Sequence, residues 1–182
     1  LQPVSFYGVT KLINEELAKS YSLNFNIHST ALRFFTVYGP YGRPDMALYK
    51  FVNLINNNKE ISVYNNGNHY RDFSYIDDIV NALIKIIRFR LKKKKRDKKS
   101  YYMCFNLANG KSKKLKLFID EIQKNLKKKA KVKNINFQQG DVFKTHADIS
   151  NLKKFTNYKS KYDIKKGIKN FVGWYKSYHK TN

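Results

Sequence analysis

Tyr7 stands four residues before Lys11 in the stretch SFYGVTKLINEELAKSYS, residues 5–22. A phenol whose pKa is about 10 is a poor base at neutral pH, and a nearby ammonium stabilises its anion. On a helix, positions i and i+4 share a face, so the pair has the parts of a general acid–base couple. Spacing alone does not separate this from accident. With 31 lysines and 14 tyrosines in 182 residues, chance alone should give about two pairs at the i, i+4 separation of a helix face. The chain has two, Tyr7/Lys11 and Tyr162/Lys166, so the bland reading of either is a surface contact.

The elements that would position these residues alternate between helix and strand. Val9, Leu12, Ile13, Leu17 and Tyr21 recur at helical spacing, which predicts a helix from Ser5 or Thr10 to Tyr21. STALRFFTVYG, 29–39, is rich in β-branched and aromatic residues and reads as a buried strand ending at Gly39-Pro40. A rigid, irregular loop YGPYGRPD follows at 38–45, then a helix 46–55. A strand 60–64, the turn NNGNH and a strand 71–75 come next. Asp77 or Asp78 is expected to cap a helix running to about 89, a cap being favoured over paired catalytic carboxylates. Beyond it the pattern predicts a loop at 92–100, a strand 103–109 and a helix 113–126. A strand near 134–138, the turn QQGD, a short helix 150–155 and a final helix 164–178 complete it. Ile168, Phe171, Val172 and Tyr175 should face inward on that last helix. The alternation indicates an α/β protein, and no internal repeat is present.

Composition bounds the function classes. Hydrophobic residues at 42% and aromatics at 15% exclude wholesale disorder. No apolar run approaches the roughly 18 residues that span a bilayer, and LQPVSFYGVT has no signal-peptide pattern. Cys104 is the single cysteine, so no intrachain disulfide or thiolate metal site can form. The four histidines lack metal-ligand spacing, and no metal is expected. A cytoplasmic protein is the default. The net charge of +24 raises the question of nucleic acid. Residues 88–99, RFRLKKKKRDKK, carry part of it and the remainder is diffuse, with few Arg forks or interleaved aromatics. A lysine-rich surface with one basic loop at 88–100 is the plain reading, and a polyanion-binding module is the alternative of another class. None of the eight glycines forms the G-x-G-x-x-G turn of a dinucleotide site. Either the protein binds no dinucleotide or the chain is the back half of one that does.

The blocks SFYGVTKLINE (5–15), LRFFTVYGPYGRPDMALYKF (32–51), ISVYNNGNHYRDFSYIDDI (61–79), FNLANG (105–110), QQGDVFKTHADIS (138–150) and GIKNFVGWYKSY (167–178) follow one another in order. In sequence and order they resemble the C-terminal half of the extended short-chain dehydrogenase/reductases acting on nucleotide sugars, above all UDP-glucuronate 4-epimerases. RFFTVYGPYGRPDMALYKF is the most specific block, whereas RDFSYIDDI is shared more widely among epimerases and dehydratases. The resemblance implies the C-terminal part of a Rossmann-type NAD-binding fold with a small α/β substrate-binding lobe. Residues 1–40 would end the Rossmann core. Residues 41–182 would be mostly the nucleotide-sugar lobe, with about 71–106 returning to the core.

The resemblance also implies a reaction: NAD-dependent epimerisation at C4 of a UDP-sugar, UDP-glucuronate to UDP-galacturonate, through a 4-keto intermediate. Tyr7 would be the base for the C4 hydroxyl and then the acid for the keto oxygen. Lys11 would tune it and bind the nicotinamide ribose. Phe35 would lie near the nicotinamide, or serve as a core aromatic, and Thr36 would hydrogen-bond the substrate. Arg43 would hold the uronate carboxylate bidentately, keeping this β-keto acid from losing CO2, or would stabilise its own loop. Val63, Tyr64 and Asn65 would run past the uracil, Arg71 would bind the diphosphate and Asp141 the ribose hydroxyls. Many family members place an arginine where this chain has Gln138. A homodimer through the catalytic helix is implied for the complete enzyme, while the fragment alone is expected to be inactive. A UDP-glucuronate decarboxylase or a 4,6-dehydratase is the nearest rival, and a degenerate, inactive relative is a further one. Tyr162/Lys166 falls outside every family motif.

Overall fold

The computed structural model describes residues 3, 5–93, 101–136 and 143–181. Helix α1 (Phe6–Asn24) begins where Ser5 Oγ accepts the Gly8 N–H at 3.1 Å, the cap that a serine at this position supplies. Strands β1 (Ser29–Phe34) and β2 (Thr36–Tyr38) follow, then α2 (Ala47–Asn56), β3 (Glu60–Tyr64), β4 (Tyr70–Arg71) and β5 (Phe73–Tyr75). Next come α3 (Ile76–Lys93), β6 (Tyr102–Leu107), β7 (Lys113–Lys114), α4 (Leu115–Leu126) and β8 (Lys131–Ile135). The short α5 (Ser150–Thr156) and α6 (Ile164–Tyr178) complete the order. Among the described residues, β1 pairs with β6, β2 with β5 and β3 with β8, all parallel, and β4 pairs with β7 antiparallel.

Two stretches expected as single strands are each divided. The 29–39 run breaks at Phe35, whose N–H turns to Leu107 O at 3.1 Å while β1 and β2 go to different partners. The 71–75 run breaks at Asp72, which is fully buried. Its Oδ2 accepts from the Gly110 and Ala147 N–H groups at 3.1 and 3.2 Å, and its own N–H donates to Thr145 Oγ1. One carboxylate thus ties three distant segments together, at the desolvation cost that raises its pKa.

Helix α3 starts at Ile76, so Asp77 and Asp78 lie inside its first turn and are not its cap. Negative charge there suits the helix dipole, but both carboxylates are used elsewhere. Asp78 accepts from Ser160 Oγ and from the Lys161 and Tyr162 N–H groups. Asp77 accepts from the Tyr162 hydroxyl at 3.0 Å. Basic residues 88–93 form the end of α3 rather than a loop. Residues 94–100, the rest of the basic stretch, lie outside the described residues.

Two apolar cores form. The first surrounds Tyr38, whose ring meets Phe73, Tyr75, Phe118 and Phe171 edge-on, an arrangement the aromatic quadrupole favours. Burial raises the Tyr38 phenol above its usual range. A Cβ on Gly167 would meet the Tyr38 hydroxyl at 2.1 Å, so α6 approaches β2 only because that position is glycine. Ile168, Phe171, Val172 and Tyr175 point inward on α6 as the periodicity predicts. The second core joins Ile79, Ala82 and Ile86 of α3 to Phe105, Leu107, Ile149 and Leu152.

Helix α1 belongs to neither core. Ser22 is its only buried residue, and Val9, Ile13, Leu17 and Tyr21 are exposed. Glu15 fastens it, its carboxylate bridging Arg33 Nε and Nη2 on β1 at 2.8 and 2.5 Å. That bond holds the Glu15 carboxyl below its ordinary 4.5, so the ion pair stabilises the fold above that pH and loses its contribution as pH falls through the lowered value. Because the pair is partly solvated, Glu15→Gln should cost about 1 kcal/mol at neutral pH, roughly 2–4 °C in melting temperature. Melts from pH 7 down to pH 3 check this: the gap between the two proteins should shrink at the acid end, and a constant gap would rule the ion pair out as its cause.

Candidate active site

Tyr7 sits in the first turn of α1, 70% exposed. The Lys11 ammonium lies over its ring, 5.2 Å from the centroid, so the two share a face as their spacing requires. Arg43 lies in the loop between β2 and α2. Its guanidinium is held in bidentate fashion by Asp45, with Nε–Oδ1 at 3.0 Å and Nη2–Oδ2 at 2.5 Å. The pairing raises the Arg43 pKa and lowers that of Asp45. Asp45 was not singled out in the sequence. It lies two residues beyond Arg43 across a proline, where no periodic pattern marks it.

Thr36 opens β2, and with Gly39, Gly42, Arg43, Ala47 and Phe73 it lines a small niche, about the size of one water molecule. Gly39, at φ +139°, makes the turn out of β2, and a Cβ there would meet Ile76 at 2.5 Å. Phe35 is half-buried and packs against the second core. A larger groove of about 1060 Å³, open to solvent, is lined by Asp45, Lys50, Tyr64, His69, Arg71 and Leu115 among others. Ala47 and Phe73 line both cavities, so the two adjoin. Tyr7 and Lys11 line neither of these two cavities.

The alternation of β3 sorts the three residues proposed for the base. Val63 is buried in the first core and Tyr64 is turned outward into the groove. Only the backbone of Val63 can serve a ligand. Asn65 starts the turn after β3 at φ +47°. Arg71 Nη1 donates to Tyr70 O and to Phe143 O at 3.1 and 3.2 Å, which steadies the guanidinium at the groove wall. Asp141 and Gln138 lie outside the described residues. Tyr162/Lys166, the second tyrosine–lysine pair, is also a contact: the Lys166 ammonium lies 4.5 Å from the Tyr162 ring centroid, and the Tyr162 hydroxyl is bound to Asp77.

Parallel strand pairs linked through helices, with an open groove walled by Arg71, describe a Rossmann-like chain. Residues 1–101 match the NAD dependent epimerase/dehydratase family, and the chain belongs to that family. It is 40% identical over 187 residues to Protein CapI of Staphylococcus aureus, covering 98% of this chain and 56% of the relative. It is 40% identical over 190 residues to UDP-glucuronate 4-epimerase 1 of Arabidopsis thaliana, covering 100% of this chain and 44% of the relative. Among solved structures, UDP-glucuronic acid 4-epimerase from Bacillus cereus in complex with UDP-glucuronic acid and NAD superposes with a TM-score of 0.85 at 29% identity, over 97% of this chain and 54% of that one. The chain therefore spans about half the length of the curated relatives it matches. No helix among the described residues is long and apolar enough to cross a membrane.

Proposed function

We propose that this chain is the substrate-binding and acid–base half of an NAD-dependent UDP-sugar 4-epimerase acting on UDP-glucuronate. The observation that carries the reading is the convergence of Thr36, Arg43, Tyr64 and Arg71 on two adjoining cavities. Arg71 and the backbone of residues 63–65 hold the UDP in the larger groove, Asp141 adding its carboxylate to the ribose. Thr36 and Arg43, beside that groove, reach the sugar end of the same ligand. In this reading the first core is that of the sugar-nucleotide lobe and the second that of the Rossmann core, with Tyr38, Phe73 and Tyr75 joining the first and Ile149 and Leu152 the second across the bounds expected from the sequence.

The Tyr7 phenolate takes the proton from the C4 hydroxyl, and the phenol returns it to the keto oxygen after the sugar has turned over. Lys11 stabilises the phenolate and offers its ammonium to a ribose hydroxyl. Tyr7, Lys11 and Phe35 would hold the nicotinamide end of NAD, which would supply the hydride acceptor and donor. The residues present fit its nicotinamide end only, since the 182 residues contain no glycine-rich phosphate turn. A polypeptide supplying that turn completes the enzyme. The exposed Val9–Ile13–Leu17–Tyr21 stripe of α1 supports a covering element there, including a second copy of the helix in a homodimer.

Calorimetric titration of the chain with UDP tests the groove. Arg71→Ala should weaken binding roughly 10–100-fold, the loss expected for a charge-assisted contact. Unchanged UDP affinity in the variant would contradict the assignment.

A further inference from the structure

A second basic depression, of about 1140 Å³, lies between the segment joining β6 to β7 and the start of α6. Lys111 and Lys113 line it from one side, and Lys161, Lys165 and Lys166 from the other. Among the described residues, none of these five ammonium groups is in an ion pair, every such pair being elsewhere. Asp163 also lines the depression, but its carboxylate caps α6 by accepting the Lys166 N–H at 2.8 Å. Lys165 and Lys166 stand in the first turn of that helix, where the macrodipole disfavours a cation. Mutual repulsion of five lysines adds to that tension, and an anion in the depression would relieve both.

The frame that presents these lysines is fixed in place. Buried Asp78 accepts from Ser160 Oγ, Lys161 N and Tyr162 N, and Asp77 holds the Tyr162 hydroxyl. Neither contact has a part in the proposed epimerisation. On the other side, Lys113 is fixed by the β4–β7 ladder through its pairing with Arg71. Two separately anchored elements therefore bring their lysines to one concavity, which lowers the ordering cost of binding. Lysines act as mobile point charges that suit the several oxygens of a phosphate chain, and no arginine fork that would impose a planar bidentate ligand is in the lining. Five lysines against Asp163, with Asp77 and Asp78 bound behind the 160–162 segment, leave an excess of positive charge that suits a ligand with several negative charges on adjacent groups.

We propose that this depression, which meets the groove walled by Arg71 at Phe73 but is lined by its own lysines, is a binding site for a small oligophosphate, a pyrophosphate or triphosphate chain. The proposal does not depend on the epimerase reading. Its test is calorimetric titration with tripolyphosphate at physiological salt, in an Arg71→Ala background so that the groove does not contribute. Lys161→Gln/Lys165→Gln should weaken binding tenfold or more. Lys131→Gln/Lys133→Gln removes the same charge from β8, away from the depression, and should change it less than twofold. Circular dichroism of each variant verifies the fold. Parallel titrations with ATP and tripolyphosphate distinguish a nucleotide from an inorganic source, and binding of either that responds to Lys161 and Lys165 upholds the proposal. No binding of either, equal loss from both double variants, or orthophosphate bound as tightly as tripolyphosphate would overturn it.

Discussion

In the complete enzyme, Tyr7→Phe should lower kcat for UDP-glucuronate by about 10²–10⁴-fold, the range for loss of a positioned acid–base group, while UDP-sugar affinity changes less than twofold. The substitution removes only the hydroxyl. Tyr7 is exposed and its backbone remains in α1, whose cap is Ser5 and whose anchor is Glu15, so the helix should form unchanged. The phenol ring that Lys11 lies against is also retained. What disappears is the hydroxyl that, under the proposed function, takes and returns the C4 proton. A variant that turned over at the parent rate would remove Tyr7 from the mechanism.

Arg43→Ala should lower kcat/KM for UDP-glucuronate roughly 10–100-fold, as expected for losing a bidentate charge-assisted contact, and leave turnover of a neutral UDP-hexose nearly unchanged. The guanidinium is paired with Asp45 and, largely exposed, stands at the niche that Thr36 also lines. A uronate carboxylate arriving there must share or displace Asp45. The variant should also release more pentose nucleotide, because a 4-keto uronate whose carboxylate is free to align with the carbonyl loses CO2. Equal losses on charged and neutral sugars would instead make Arg43 a loop-stabilising residue.

The parts of the fold legible in the sequence were those with a clean period. Strand β3 has its predicted bounds, and its alternation places Ile61 and Val63 inside and Ser62 and Tyr64 outside. Helix α6 has its predicted bounds and its four inward residues. Periodicity found α1 as a helix but not its environment, because an apolar stripe looks the same whether this chain or another surface covers it. The breaks at Phe35 and Asp72 gave no signal either. They arise where a strand changes partner, which only the assembled sheet determines. Asp77 and Asp78 fit a capping pattern, yet the helix starts before them and a loop 82 residues further on takes the Asp78 carboxylate. The site was readable as a set of residue types only through the order of its motifs. Asp45 and Asp72, which position Arg43 and the loops beside Arg71, became evident only in three dimensions.

The central claim is that Tyr7, Arg43 and Arg71 serve one reaction on one UDP-sugar. The measurement that tests it most directly is incubation of the complete enzyme with UDP-glucuronate and NAD, followed by chromatographic separation of the nucleotide sugars. The account predicts that UDP-galacturonate accumulates to an equilibrium mixture with no net reduction of NAD. A pentose nucleotide as the main product, or a 4-keto-6-deoxy sugar formed instead, would contradict it.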